Sequence, residues 1–194
     1  MANTKRDVPI IAFKSRQAWN DWLASQAADS EGLWLKLAKK SSRVLCVSKP
    51  EAIDTALCHG WIDGQLDSFD ENHSLVRFTP RRPSSRWSER NRARALQLIE
   101  MGRMLPAGMR EIERARKDGR WEAAYAPQST AEVPDDLKAA LARNKKASKF
   151  FEALDRVNRY SILYRVHNAK KPETREKRMQ AILKMLSKGQ AFHD

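Results

Sequence analysis

Residues 61–80 read WIDGQLDSFDENHSLVRFTP. Two arms of β-forming composition flank DENH, a run of turn-forming residues, and the pattern predicts an antiparallel hairpin. On the first arm Trp61, Asp63, Gln65 and Asp67 fall on one side; on the second, Arg77, Thr79 and Arg81 share one. A register that joins the two sets places carboxylates against guanidiniums across the ladder. A slip of one residue separates them.

Upstream, PIIAF (9–13) reads as a short strand. Ser15 is placed to cap a helix whose apolar stripe is Ala18, Trp19, Trp22 and Leu23. After Gly32, LWLKLAKK alternates Leu33, Leu35 and Leu37 against Trp34, Lys36 and Ala38, the period of a strand. RVLCV (43–47) reads as another strand. In SKPEAIDTALCHG, Ser48 and Glu51 form a capping box, Pro50 sits in the first turn and Gly60 closes the helix.

Downstream, SSRWSERNRARALQLIEMG predicts a helix from near Ser85 or Ser88 to Gly102, with arginines around much of its girth. A further helix runs through MREIERARK to Gly119, and APQSTAEVP (126–134) reads as a linker. The remainder shows only helical periods. Two acids follow Pro134; Phe150, Phe151, Leu154 and Val157 continue into Tyr160, Leu163 and Tyr164 with a bend near Asn158; a last helix follows Pro172. The expected fold is α+β: a small, mostly antiparallel sheet with flanking helices in residues 1–125, a linker at 126–133, and an all-helical module at 134–190.

The chain has 194 residues, 41% apolar, with six Trp and six Phe, enough for a real core. Its net charge of +13 is uneven. Residues 77–94 alone hold seven arginines and one acid, Glu89, and the whole basic excess lies after position 76. Such a surface favours anionic partners: a small anion, an acidic protein or nucleic acid. No apolar run approaches the length of a membrane-spanning helix. The N-terminal apolar run is short and broken by Pro9, and Cys46 and Cys58 sit among apolar neighbours. Both features point to the cytoplasm.

Chemistry-bearing motifs are sparse. Cys46, Cys58, His59 and His73 lack metal-site spacing, so no metal or other cofactor is expected. Asp63, Asp67, Asp70 and Glu71 do not match a calcium loop and read instead as turn residues and partners of arginines. There is no nucleophile elbow and no glycine-rich phosphate loop.

Three stretches nevertheless carry a resemblance. ALCHGWIDGQ, RFTPRRPSSRWSERNRAR and LIEMGRMLPAGMREIERARKDGRWEAAY resemble bacterial YdeI/OmpD-associated, or bacteriocin-protection, proteins. The tail from VPDDLKAALARN through NRYSILYRVHNAKKPETREKR is similar to the small helical OmdA-type module of that family, so the likeness spans nearly the whole chain. His59 departs from the aromatic residue usual at its position. The resemblance implies a link to tolerance of antimicrobial peptides and to porins, but no reaction. Its motif positions here include Trp61, Asp63, Gly64, Arg77, Arg81, Arg82, Trp87, Ser88 and Asn91.

The resulting expectation is a non-catalytic binding protein for an anionic ligand or acidic partner. Its candidate site is Asp63, Asp67, Arg77, Arg81, Arg82, Trp87, Ser88 and Asn91: the arginines attract the anion, the two aspartates orient the guanidiniums, and Trp87 anchors the helix beneath. Two alternatives stay open, a nucleic-acid-binding protein and an enzyme acting on a small phosphorylated or acidic compound.

Overall fold

The alternation in residues 33–38 and the hairpin at 61–80 supply three strands of a four-stranded sheet. The computed structural model describes residues 8–39, 41, 42 and 44–193. They form two units: one comprises the chain up to Trp87 together with Asn91–Ala124, the other Ser88–Arg90 together with Tyr125 onward.

In the first unit β1 (Ile10–Ile11), β2 (Leu33–Ala38), β3 (Trp61–Ser68) and β4 (His73–Pro80) stand in the order β1-β2-β4-β3. β1 pairs parallel with β2; β2–β4 and β4–β3 are antiparallel. The sheet is thus mostly antiparallel, and the short turn between β3 and β4 requires that orientation of their pair. The turn between β3 and β4 is closed by Asp70, whose Oδ1 accepts from the Asn72 amide at 2.9 Å and contacts His73 Nδ1 at 2.8 Å.

The alternation of β2 puts Leu33, Leu35 and Leu37 in a core with Val76 and Phe78 of β4 and Trp61 of β3. The α1 helix (Arg16–Ala24), capped by Ser15, adds Trp19 and Leu23. Trp19 is fully buried, and its indole N–H donates to the Ala52 carbonyl at 3.1 Å, which satisfies its polar edge. Phe13, Trp19, Trp22, Trp61 and Phe78 form a chain of aromatic contacts with centroids 5.2–5.9 Å apart. Gly32 enters β2 at φ +87°; a Cβ there would lie 2.1 Å from the Phe78 carbonyl oxygen, so only glycine fits.

α2 (Lys49–Cys58) begins with the complete Ser48–Glu51 capping box. Together with α3 (Glu89–Glu100) and α4 (Pro106–Lys117) it builds a second core from Leu57, Trp87, Ala95, Leu98, Ile112, Ala115 and Trp121. Arg92 and Arg94 of α3 are anchored, whereas Arg90 is exposed. Arg94 forks onto the buried Asp54 carboxylate of α2, with Nε–Oδ1 at 2.5 Å, and Arg92 Nη1 donates to the Trp121 carbonyl at 3.0 Å.

In the second unit α5 (Asp135–Ala142), α6 (Lys145–Ala153), α7 (Arg156–His167) and α8 (Pro172–Ser187) enclose Leu137, Leu141, Phe151, Ile162, Leu163, Val166, Ile182 and Leu186. Arg175 of α8 grips Asp136 of α5 with two nitrogens and also donates Nη1 to the Val166 carbonyl at 2.7 Å, joining three helices.

Several local expectations change. Residues 44–47 form no strand, and Arg43 lies outside the described residues. Val44 and Leu45 are exposed; only Val47 is buried, its amide bonded to the Phe13 carbonyl, so no alternating face exists to drive a ladder. Of the two starts expected for the next helix, Ser85 and Ser88, the second holds: α3 begins at Glu89, and Ser85 Oγ accepts from the Arg82 amide in a turn ahead of it. The break after α6 falls at Leu154–Asp155, where Asp155 caps α7 through the Asn158 amide at 2.7 Å. Asn158 sits inside α7, buried, and its side chain holds the chain's end: Oδ1 accepts from the Phe192 and His193 amides, and Nδ2 donates to the His193 carbonyl.

Candidate functional site

The hairpin register decides where the expected site residues go. Asp63 stands opposite Phe78, Leu66 opposite Val76 and Asp67 opposite Leu75, with a register shift between Asp63 and Leu66. The extra residue, a β-bulge around Gly64–Gln65, flips the strand's parity. Asp63 therefore shares the face of Phe78 and Val76, and Asp67 shares the face of Leu75 and Arg77. The expectation that Asp63 and Asp67 lie on one side with Arg77 and Arg81 is corrected by this bulge. Asp67 is exposed, and its Oδ1 accepts from the neighbouring Ser68 amide. Asp63 Oδ1 contacts the Asn91 side-chain amide at 3.4 Å. Ser88 forms a bridge with Tyr125 in the second unit.

Arg81 and Arg82 end up together, on a concave cavity of about 720 Å³ in the first unit. It opens at the end of the hairpin remote from its turn, where β3 begins and β4 ends. The wall opposite is α4, which presents Ala107, Arg110, Glu111 and Arg114 at helical spacing on one face. The loop after α1, residues 26–31, and His59–Gly60 complete the lining. Gly60, at φ +76°, lets α4 approach: a Cβ there would lie 2.9 Å from the Ala107 carbonyl oxygen. Neither Asp63, Asp67 nor Arg77 lines the cavity.

Arg81 is the one buried guanidinium of the group, 6% exposed. Its amide donates to the Gly60 carbonyl at 2.9 Å, which extends the ladder past β4. Its guanidinium lies 3.6 Å over the ring of Trp87, and Nη1 donates to the Arg86 carbonyl at 3.1 Å. Trp87, 2% exposed, thus backs Arg81 and itself packs against Trp121. Arg82 and Arg110 are exposed on the rim. Arg114 pairs with Glu111, and its Nε is buried without a hydrogen-bond partner. Arg77 stands behind the loop: Nη2 donates to the Glu31 carbonyl at 2.6 Å, Nη1 is buried without a partner, and the guanidinium faces Trp34. Burial, with Arg82 adding to it, lowers the Arg77 pKa against the opposing pull of Glu31.

Two further groups face the cavity. Burial pushes the Glu111 carboxyl above the usual range, against the pull of Arg114, Arg81 and Arg120. Burial lowers the His59 pKa, and His59 Nε2 contacts Asn20 Oδ1 at 3.0 Å. The arrangement suits an anion held by guanidinium forks in a partly dry concavity. Arg110, Glu111 and Arg114 were not legible as site residues. They follow Arg81 by 29, 30 and 33 positions, and their spacing also fits an ordinary solvated helix. Among the described residues no three His, Cys, Asp or Glu side chains converge to hold a metal, and no helix is long and apolar enough to cross a membrane.

Comparison with known proteins gives two family matches. Residues 11–111 match a family described as Domain of unknown function (DUF8412). Residues 130–189 match the family described as Bacteriocin-protection, YdeI or OmpD-Associated (OmdA). The OmdA match covers the C-terminal part alone, whereas the sequence resemblance extended over nearly the whole chain; WIDG and RFTPRR fall under the other family. No curated protein and no solved structure matches significantly. With just over half its length under the first family's match, the chain belongs to the family described as Domain of unknown function (DUF8412), and its residues 130–189 are similar to the OmdA family.

Proposed function

We propose that the protein binds a small anionic molecule, a phosphorylated or polycarboxylic compound, in the Arg81–Arg82–Arg110–Arg114 cavity, without catalysing a reaction on it. The observation that carries this reading is the gathering of four guanidiniums around one concavity of about 720 Å³, a volume in the range of small-molecule sites. The buried, partnerless Nε of Arg114 supports it, since a buried donor gains from an acceptor that arrives with the ligand. A concave site also suits a compact anion better than a nucleic-acid backbone, which needs an extended basic track.

Separately from the cavity, the OmdA match of residues 130–189 supports a role of the protein related to bacteriocin protection, and by that family's description an association with porins. The physical route is indirect. Antimicrobial peptides are generally cationic, and a chain with net charge +13 repels them at long range. An acidic protein is the partner next in line for the same guanidiniums. We place the protein in the cytoplasm, where the unpaired thiols of Cys46 and Cys58 are at home.

Native mass spectrometry of the full chain, purified gently from its host, tests the reading. A retained anion of small-molecule mass, lost in the Arg82→Gln/Arg110→Gln variant, is expected. Retention of the same mass by the variant would contradict the site, and a heterogeneous nucleic-acid load would favour the nucleic-acid reading.

A further inference from the structure

All six tryptophans of the chain fall in the first unit, at positions 19, 22, 34, 61, 87 and 121, and all three tyrosines in the second. Those tyrosines, Tyr125, Tyr160 and Tyr164, line one cavity of about 290 Å³. Tyr125 and Tyr164 meet edge to face with centroids 5.0 Å apart, and Tyr160 lies 6.1 Å from Tyr164. Glu89, Glu132 and His167 also line the cavity, and among the described residues no lysine or arginine does. In a chain with 37 basic residues and a net charge of +13, a cavity lined by two carboxylates and three tyrosine rings, with no lysine or arginine among its lining residues, has a composition opposite to that of the whole.

That combination is the chemistry that holds an organic cation: ring faces attract it through their quadrupoles, and carboxylates balance its charge. We infer that this tyrosine–glutamate cavity of the second unit is a binding site for an organic ammonium group, on a free amine or on a lysine side chain.

The scaffold fixes the aromatic groups. Tyr160 and Tyr164 stand one turn apart on α7, so both project from one face of it. The Tyr160 hydroxyl donates to the Ala126 carbonyl at 3.0 Å, which fixes the ring. Burial, together with Tyr125, Tyr164 and Glu89, pushes the Tyr160 pKa up to about 12, so the ring stays neutral across the working range. Tyr125 is positioned by the Glu89 amide, which donates to its carbonyl at 2.9 Å and brings Glu89 alongside. The overall positive charge does not defeat such a site. At physiological salt, charges beyond about 8 Å are largely screened, and the groups within the cavity decide. The site is independent of the arginine cavity, and each can fail without the other.

The tyrosines also provide the readout. With tyrosine rings isotopically labelled, the full chain gives ring signals from three residues, all at the cavity. Titration with choline chloride, and separately with Nα-acetyl-lysine amide, is expected to shift them saturably; the tighter binder identifies the source of the ammonium group. The uncharged isostere 3,3-dimethyl-1-butanol is expected to bind at least about threefold more weakly than choline. Glu132→Gln, in an exposed non-helical segment, and Tyr164→Leu are each expected to weaken choline binding about threefold to tenfold. Non-saturating shifts for both cations, equal binding of the neutral isostere, or choline binding by folded Glu132→Gln as tight as by the parent would overturn the inference.

Discussion

Gly32 and Asp136 show how single residues set the limits of each unit. Replacing Gly32 by alanine forces a Cβ to within 2.1 Å of a strand carbonyl at φ +87°, and the Phe78 backbone sits in a ladder that cannot retreat. Gly32→Ala is expected to lower the unfolding free energy by at least about 3 kcal/mol. Gly102→Ala, at φ +65° with open space around it, should cost only about 1 kcal/mol. Urea unfolding of the two variants side by side checks the difference; equal losses would mean that the contact with Phe78 is not what excludes a side chain.

Asp136 gives a pH dependence of definite sign. The Arg175 fork holds its carboxyl below the ordinary value of 3.8. A depressed folded-state pKa adds stability that is fully present above that value and vanishes as pH falls through the lowered one. Because the pair is partly exposed, solvent screening limits it to about 1 kcal/mol. Asp136→Asn should therefore be less stable than the parent at neutral pH, and the gap should narrow as pH falls below 3.8 and close once it has passed through the lowered value. A gap that persists undiminished in acid would assign the loss to packing instead.

At the scale of elements, caps and bulges decide what periodicity alone does not. The α6–α7 break depends on Asp155, whose carboxylate accepts from the Asn158 amide. Asp155→Ala is expected to cost about 1 kcal/mol and to loosen the first turn of α7, seen as faster amide exchange at Val157 and Asn158. Unchanged exchange would show that packing of Ile162 and Val166 holds the helix end without the cap. The same contrast explains what could be read in the sequence. The β2 alternation and the Ser48–Glu51 box each have one local interpretation, and both form. The bulge between Asp63 and Leu66 has only a weak signature, the isolated Gly64 within a strand pattern, which marks a bulge or a close backbone approach alike, yet it reverses the face of Asp67 relative to Asp63. Arg81 and Arg82 are adjacent and chemically identical, so nothing local tells the buried one from the exposed one. Tertiary contact with Trp87 makes the difference. Tyr160 and Tyr164 were legible as a helical pair, but Tyr125 joins them only through the fold.

On the scale of the whole molecule, charge is sorted rather than spread. Much of the arginine excess is consumed in structure: Arg94 on Asp54, Arg92 on the Trp121 carbonyl, Arg120 on Asp118 and Arg175 on Asp136. Around the cavity of the first unit stand Arg81 and Arg82 at the end of the hairpin and Arg110 and Arg114 on α4. The second unit sets its aromatic hydroxyls and two glutamates around a cavity of opposite character. Isothermal titration of inorganic pyrophosphate into the full chain at 0.15 M salt tests the arginine cavity most directly. One saturable site is expected, weakened about tenfold or more in Arg82→Gln/Arg110→Gln, whose side chains are exposed and hold no structure together. Pyrophosphate heat indistinguishable from dilution, or the same affinity in the double variant, would contradict it.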